Sequence, residues 1–154
     1  MSLILDDKRL LPPGIHDATM EDIERHFALS GRRKTLLARL SEYVSNVRLT
    51  GWACQVLIDG SFVMPKVIEP NDIDIILVMP PGWDMERRDL KPYEYNVVDR
   101  SYTRRTYRIE AFSVAFGSEH ERSFIDLFSK SRIEWCKQFG LPAEFRKGIV
   151  RLVQ

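Results

Sequence analysis

Two aspartates, Asp72 and Asp74, stand two residues apart at the head of the apolar run Ile75-Ile76-Leu77-Val78. In a strand, residues i and i+2 point to the same face, so the two carboxylates project side by side while Ile73 and Ile75 point the other way. Like charges that close repel unless something neutralises them, and a divalent cation with oxygen ligands is the usual answer. Eleven residues before Asp72, Ser61 follows Gly60 at the end of a second apolar run, Leu57-Ile58-Asp59. A Gly-Ser turn lets backbone N–H groups approach an anion, and the serine hydroxyl can donate to a phosphate oxygen. Metal and phosphate together are the chemistry these residues point to. The plainer reading is a turn after Pro70 with an Asx cap at Asn71-Asp72. What argues beyond it is the order of apolar strand, Gly-Ser, spacer and apolar strand.

Other chemistry-bearing residues are weighed against that pair. Asp126 sits among Phe124, Ile125, Leu127 and Phe128, a run read as a short strand, where a lone carboxylate must either face solvent or meet a cation. Glu110, in an alternating run, is the alternative to it. Asp59 is expected to cap the strand end or the loop. Ser61 as a covalent nucleophile lacks a neighbouring His and an oxyanion loop. His16, His26 and His120 are scattered, and each is expected on a surface or a helix. The basic clusters Arg32-Arg33-Lys34, Arg87-Arg88 and Arg104-Arg105 are expected to be solvated faces. Trp83, beside a Pro-Gly turn, is the tryptophan placed best for base stacking.

The segment resembles the nucleotidyltransferase superfamily, whose signature is a Gly-Ser turn, a short spacer, an Asp-x-Asp strand and a third Asp on a later strand. Gly60 and Ser61 match the turn, Asp72 and Asp74 match the pair, and Asp126 is the candidate third carboxylate. More narrowly, the chain is similar to a small prokaryotic group of nucleotidyltransferase-like proteins. That group opens with a Leu-Pro-Pro-Gly segment, here Leu11 to Gly14, and closes with Lys-Gly-Ile-Val, here Lys147 to Val150. The chain departs from the minimal enzymes after the turn, where an Arg and a Gly are common and Phe62 and Pro65 stand instead. The resemblance implies transfer of a nucleoside monophosphate from a nucleoside triphosphate to an acceptor hydroxyl. Asp72, Asp74 and Asp126 would then hold Mg²⁺ or Mn²⁺ and serve catalysis, while Gly60 and Ser61 would hold the phosphates. It equally implies a rival: a catalytically inactive binding module of the antitoxin or defence type, acting on a partner protein. For the enzyme, such a partner would be the acceptor, docking on the charged excursion from Asp84 to Arg100.

Composition bounds these readings. The chain has 154 residues, suited to one domain. With 23 basic and 22 acidic residues its net charge is +1, which argues against a strongly basic nucleic-acid platform but leaves room for a local patch. The two cysteines, Cys54 and Cys136, lack metal-ligand spacing. No apolar stretch nears the ~20 residues of a membrane span, and Met1 to Asp7 lacks the character of a signal peptide. A soluble, cytoplasmic protein without a membrane partner is expected.

The elements that must position the site follow from periodicity. Residues 1–18 read as an arm anchored by Leu10, Leu11 and Ile15, because Pro12-Pro13-Gly14 breaks any helix. Residues 19–51 read as two helices. The first runs from Met20 to about Ala28, capped by Thr19 with Asp22 three residues on. The second is capped by Ser30, ends near Gly51 and has a stripe of Leu36, Leu37, Leu40, Tyr43, Val44 and Val47. Residues 52–154 read as a sheet core: strands Cys54–Asp59 and Asp72–Val78, a charged excursion over 84–100 that is helix or partly ordered, a strand over 105–116 and the short strand Phe124–Phe128. A helix from Arg132 to Phe139 capped by Ser131 and an edge strand Gly148–Val153 complete it. The class predicted is α+β, close to α/β, with helices packed on a mixed sheet. The resemblance implies that this is the nucleotidyltransferase fold.

Overall fold

Both helix caps expected from sequence form in the computed structural model, which describes residues 3–6, 10–67, 69–130, 133–142 and 144–153. Thr19 Oγ1 accepts from the Asp22 N–H at 3.2 Å while Asp22 Oδ2 accepts from the Thr19 N–H at 3.1 Å, opening α1 (Met20–Phe27). Ser30 caps α2 (Gly31–Leu49) by accepting from the Arg33 N–H. The α2 stripe of Leu36, Leu40, Tyr43, Val44 and Val47 is buried as its spacing requires.

Five strands form one mixed sheet in the order β1-β5-β2-β3-β4, with β1 Gly14–Ala18, β2 Gln55–Asp59, β3 Ile73–Met79, β4 Ile109–Ala115 and β5 Gly148–Leu152. The β1/β5 and β3/β4 pairs are parallel, and β2 runs antiparallel to both β3 and β5. Between β3 and β4 the chain crosses over through α3 (Pro92–Val98) and α4 (Arg100–Tyr107), as a parallel pair demands. The fold is α+β, with six α-helices among the described residues.

The sheet is covered on both faces, which is why β3 is apolar at every position except Asp74. Ile73, Ile75, Leu77 and Met79 join Ile58, Ile109, Ala111 and Val150 in the main core beneath α1 to α4. Ile76 and Val78 point the other way, with Leu57, Val114 and Ile149, against Phe124, Ile125 and Phe128 of α5 (Glu119–Ser129). A third cluster packs Leu10 of the arm and Trp135 and Phe139 of α6 (Ile133–Phe139) on Met64 and Val67.

Three expectations are corrected. Phe124–Phe128 is helix: the spacing of Phe124, Ile125 and Phe128 puts them on one helical face, and Ser118 caps the helix by accepting from the Glu121 N–H. The arm contains β1, which pairs with β5 and leaves β5 inside the sheet, so Gly148–Leu152 is not an edge. Within 105–116 the strand begins only at Ile109, because α4 continues to Tyr107 and Arg108 turns the chain in the left-handed region (φ 56°). The excursion over 84–100 does hold a helix, α3, as one of its two expected forms. The expected cap Ser131 and first helical residue Arg132 lie outside the described residues.

Candidate functional site

Strand register brings the acids together. Asp59 of β2 pairs with Asp74 of β3, and Asp74 pairs with Glu110 of β4, so three adjacent strands put a carboxylate at the same level. Paired residues share a face, and Asp72 lies two residues before Asp74 on that face. Asp72, Asp74 and Glu110 each offer an oxygen, and these oxygens lie within 4.8 Å of one another. Opposite ligands of an ion bound at 2.0–2.1 Å stand about 4 Å apart, so one cation can reach all three. Burial, then the charges of Asp72, Asp59 and Glu110, push the Asp74 carboxyl up to about 7.

Gly60 is required twice over. Its φ of +84° lies in the left-handed region, and a Cβ there would stand 2.6 Å from Asp74 Oδ2. Ser61 begins the 3₁₀ turn Ser61–Val63 directly beside it. Gly60, Ser61, Asp72 and Asp74 line a cleft of about 460 Å³, closed on its other side by Leu127 and Phe128 of α5, Lys130 and Trp135.

Asp59 is the last residue of β2. It is buried and pairs with the ammonium of Lys147, which also donates to the Phe128 carbonyl at 3.2 Å. Burial raises the Asp59 carboxyl to about 6 against the pull of that ammonium. Its second oxygen, Oδ2, is buried and meets no hydrogen-bond partner among the described residues, and the residue lines the cleft.

Asp126 stands elsewhere. It rides on α5 with its side chain 61% exposed, paired with Arg146 at 3.1 Å and Lys130 at 3.6 Å. Among the described residues the converging carboxylates are Asp72, Asp74 and Glu110, so the alternative third acid, Glu110, is the one that meets the pair. The reason is secondary structure: a helix replaces the strand that was to carry Asp126 beside β3.

A family model matches residues 3–153, nearly the whole chain. The chain belongs to the DUF6932 family, a family of unknown function. No curated protein and no solved structure matches it significantly.

The residue that sequence reasoning missed in this DUF6932 chain is Arg33. It is 1% exposed, not part of a solvated face. Its guanidinium donates to five carbonyl oxygens: Phe27 at 3.0 Å, Ser61 at 3.3 Å, Phe62 at 2.5 Å, Met64 at 2.6 Å and Val67 at 2.5 and 3.1 Å. It thereby ties the loop after the Gly-Ser turn to the start of α2. Burial lowers it only to about 10, so it stays charged at neutral pH. The signal was present in the sequence: Arg33 precedes Leu36 and Leu40 by three and seven residues and continues their buried stripe. The position after Ser61, where a basic residue was expected, holds the buried Phe62. Trp83 is engaged by Trp52, 4.7 Å between ring centres, and by the Arg87 guanidinium at 4.9 Å.

Three carboxylates with hard oxygen donors suit Mg²⁺ or Mn²⁺ better than a soft metal.

Proposed function

We propose that the chain is a metal-dependent nucleotidyltransferase, moving a nucleoside monophosphate from a nucleoside triphosphate to an acceptor hydroxyl. The observation that carries this reading is the convergence of Asp72, Asp74 and Glu110 beside the Gly60-Ser61 turn. The resemblance of that turn and the Asp-x-Asp strand supplies the reaction class, and on this reading the mixed sheet is a nucleotidyltransferase sheet. Asp72, Asp74 and Glu110 would hold Mg²⁺ or Mn²⁺, which supplies charge neutralisation of the triphosphate when bound. Gly60 lets the backbone come close to a phosphate, and Ser61 offers its hydroxyl to a phosphate oxygen. A carboxylate of the trio accepts the acceptor's hydroxyl proton. Arg33 holds the loop that carries Ser61. Cys54 and Cys136 carry reduced thiols, which suits a cytoplasmic setting.

A second reading, a non-catalytic binding module acting on a partner protein, is favoured by one observation. Phe62 is buried where a phosphate-binding cation was expected, and Lys147, the buried cation of the cleft, is already paired with Asp59.

Titration calorimetry with Mg²⁺ or Mn²⁺ and a non-hydrolysable triphosphate tests the first reading. Asp72→Ala, Asp74→Ala and Glu110→Gln should each remove binding, while Asp126→Asn should bind as the parent does. Parent-like binding by both Asp72→Ala and Asp74→Ala would sink the metal site. Loss in Asp126→Asn with retention in Glu110→Gln would return the third place to Asp126.

A further inference from the structure

Helix α4 and the residue after it carry Arg100, Arg104, Arg105 and Arg108, all exposed, in a span that contains no carboxylate. Two of these arginines turn onto β4. Arg104 Nη2 lies 2.6 Å from Glu110 Oε1, and the Arg100 guanidinium lies 4.2 Å from the centre of the Phe112 ring. Arg100 and Arg104 are one helical turn apart, and Glu110 and Phe112 are neighbours on one face of the strand. The basic side of α4 therefore comes over the sheet edge onto the face that bears the carboxylates. Phe112 in turn packs on Phe124 at 5.5 Å and Phe128 at 5.2 Å, and Phe128 lines the cleft. Carboxylates, aromatic rings and arginines thus form one continuous tract. Beyond it, Arg100, Ser101, Arg104 and Arg105 line an open hollow of about 420 Å³.

We infer that this arginine and aromatic tract binds single-stranded nucleic acid and brings a strand's hydroxyl to the carboxylate cleft. What the hydroxyl does there rests on the nucleotidyltransferase reading; the binding does not. All four cations are arginines, whose planar forks match phosphate oxygens in a way an ammonium cannot. A guanidinium stacked on a ring keeps a second plane for a base, and aromatic rings beside a basic groove are the usual platform for single strands. An acidic peptide would use the charges and leave the rings idle. The near-zero net charge does not oppose this, because attraction depends on how charges are sorted over the surface. Here three arginines gather on α4 and a fourth follows it directly.

The test is fluorescence anisotropy of the full chain with a labelled oligouridylate, in chelator-containing buffer over a series of salt concentrations. The parent should bind with log K falling linearly against log salt. Replacing both Arg100 and Arg105 by Ala should weaken binding at least about tenfold at low salt. It should also flatten the slope by about 1.4, because each phosphate left without its arginine removes about 0.7. Both side chains are exposed, and unchanged thermal melting will show the variant folded. Glu110→Gln should bind the oligonucleotide at least as tightly as the parent while losing metal-dependent triphosphate binding, so the two readings fail separately. Salt-independent or absent binding by the parent overturns the inference, as does parent-like affinity in the double variant. Equal displacement of the oligonucleotide by polyglutamate would assign the tract to an acidic protein instead.

Discussion

Arg33 shows how one residue can be misread by type and read correctly by position. A run of three basic residues at a helix start suggests a solvated face, and for Arg32, whose guanidinium meets Glu69 at 3.0 Å on the surface, that holds. Arg33 sits on the buried stripe of the same helix and spends its donors on backbone carbonyls, with no carboxylate in ion-pair range among the described residues. An uncompensated guanidinium is tolerable there because each donor finds an oxygen. Removing it strands several buried acceptors at once. Arg33→Met should therefore lower unfolding free energy by roughly 3–5 kcal/mol in urea titrations, since a buried unsatisfied group costs about 1–3 kcal/mol. A loss under about 1 kcal/mol would mean the loop carbonyls find other donors. Asp126 and Glu110 make the complementary point. Both were visible as candidates, and what separates them is the neighbour each strand or helix brings, not anything local to either residue.

At the scale of elements, the segments with an internal period were legible and those defined by distant partners were not. Helices α1 and α2 announced themselves by caps and stripes; β2 and β3 by apolar runs with turns between them. By contrast, β1 is five residues following Pro12-Pro13, and its partner β5 lies at the other end of the chain. The two chain ends meet there. Gly148 donates its N–H to Leu11 O at 3.1 Å, and a Cβ on Gly148 would strike the Pro12 carbonyl, Leu11 Cβ and His16 Cδ2. The glycine of Lys147-Gly148-Ile149-Val150 is thus explained by the Leu-Pro-Pro-Gly segment lying across it. Gly148→Ala should cost about 1–3 kcal/mol, the range for overpacking, and chemical denaturation will measure it. Unchanged stability would show that the arm can lift away from β5.

For the molecule as a whole, gathering Asp59, Asp72, Asp74 and Glu110 at one end of the sheet stores electrostatic strain that, on the proposed reading, a bound cation would relieve. Asp74 is raised to about 7, above its unfolded value of 3.8. Between those values the folded state keeps a proton that the unfolded chain has lost, so stability falls as pH rises through that window. The contribution is whole below about pH 4 and lost above about pH 7, and is on the order of a few kcal/mol. Metal competes with that proton. Added Mg²⁺ should raise the melting temperature more at about pH 8 than at about pH 5.5, and Asp74→Asn should abolish that difference. Equal shifts at both pH values, or a metal effect that survives in Asp74→Asn, would separate the raised carboxyl from cation binding. No helix among the described residues is long and apolar enough to cross a membrane.

By itself the sequence determined the α+β class, the two capped helices, the Gly60-Ser61 turn and the Asp72/Asp74 pair. Each rests on local information: a period, a cap, or a same-face spacing of two. Only the tertiary structure decided the third carboxylate, because Glu110 meets Asp74 through parallel strand register across a helical crossover. It also decided that Lys147 neutralises Asp59 from a position 88 residues away, and that the Arg33 guanidinium faces inward to the loop. Those are contacts between segments, and register, crossover and burial select them only once the whole sheet has formed.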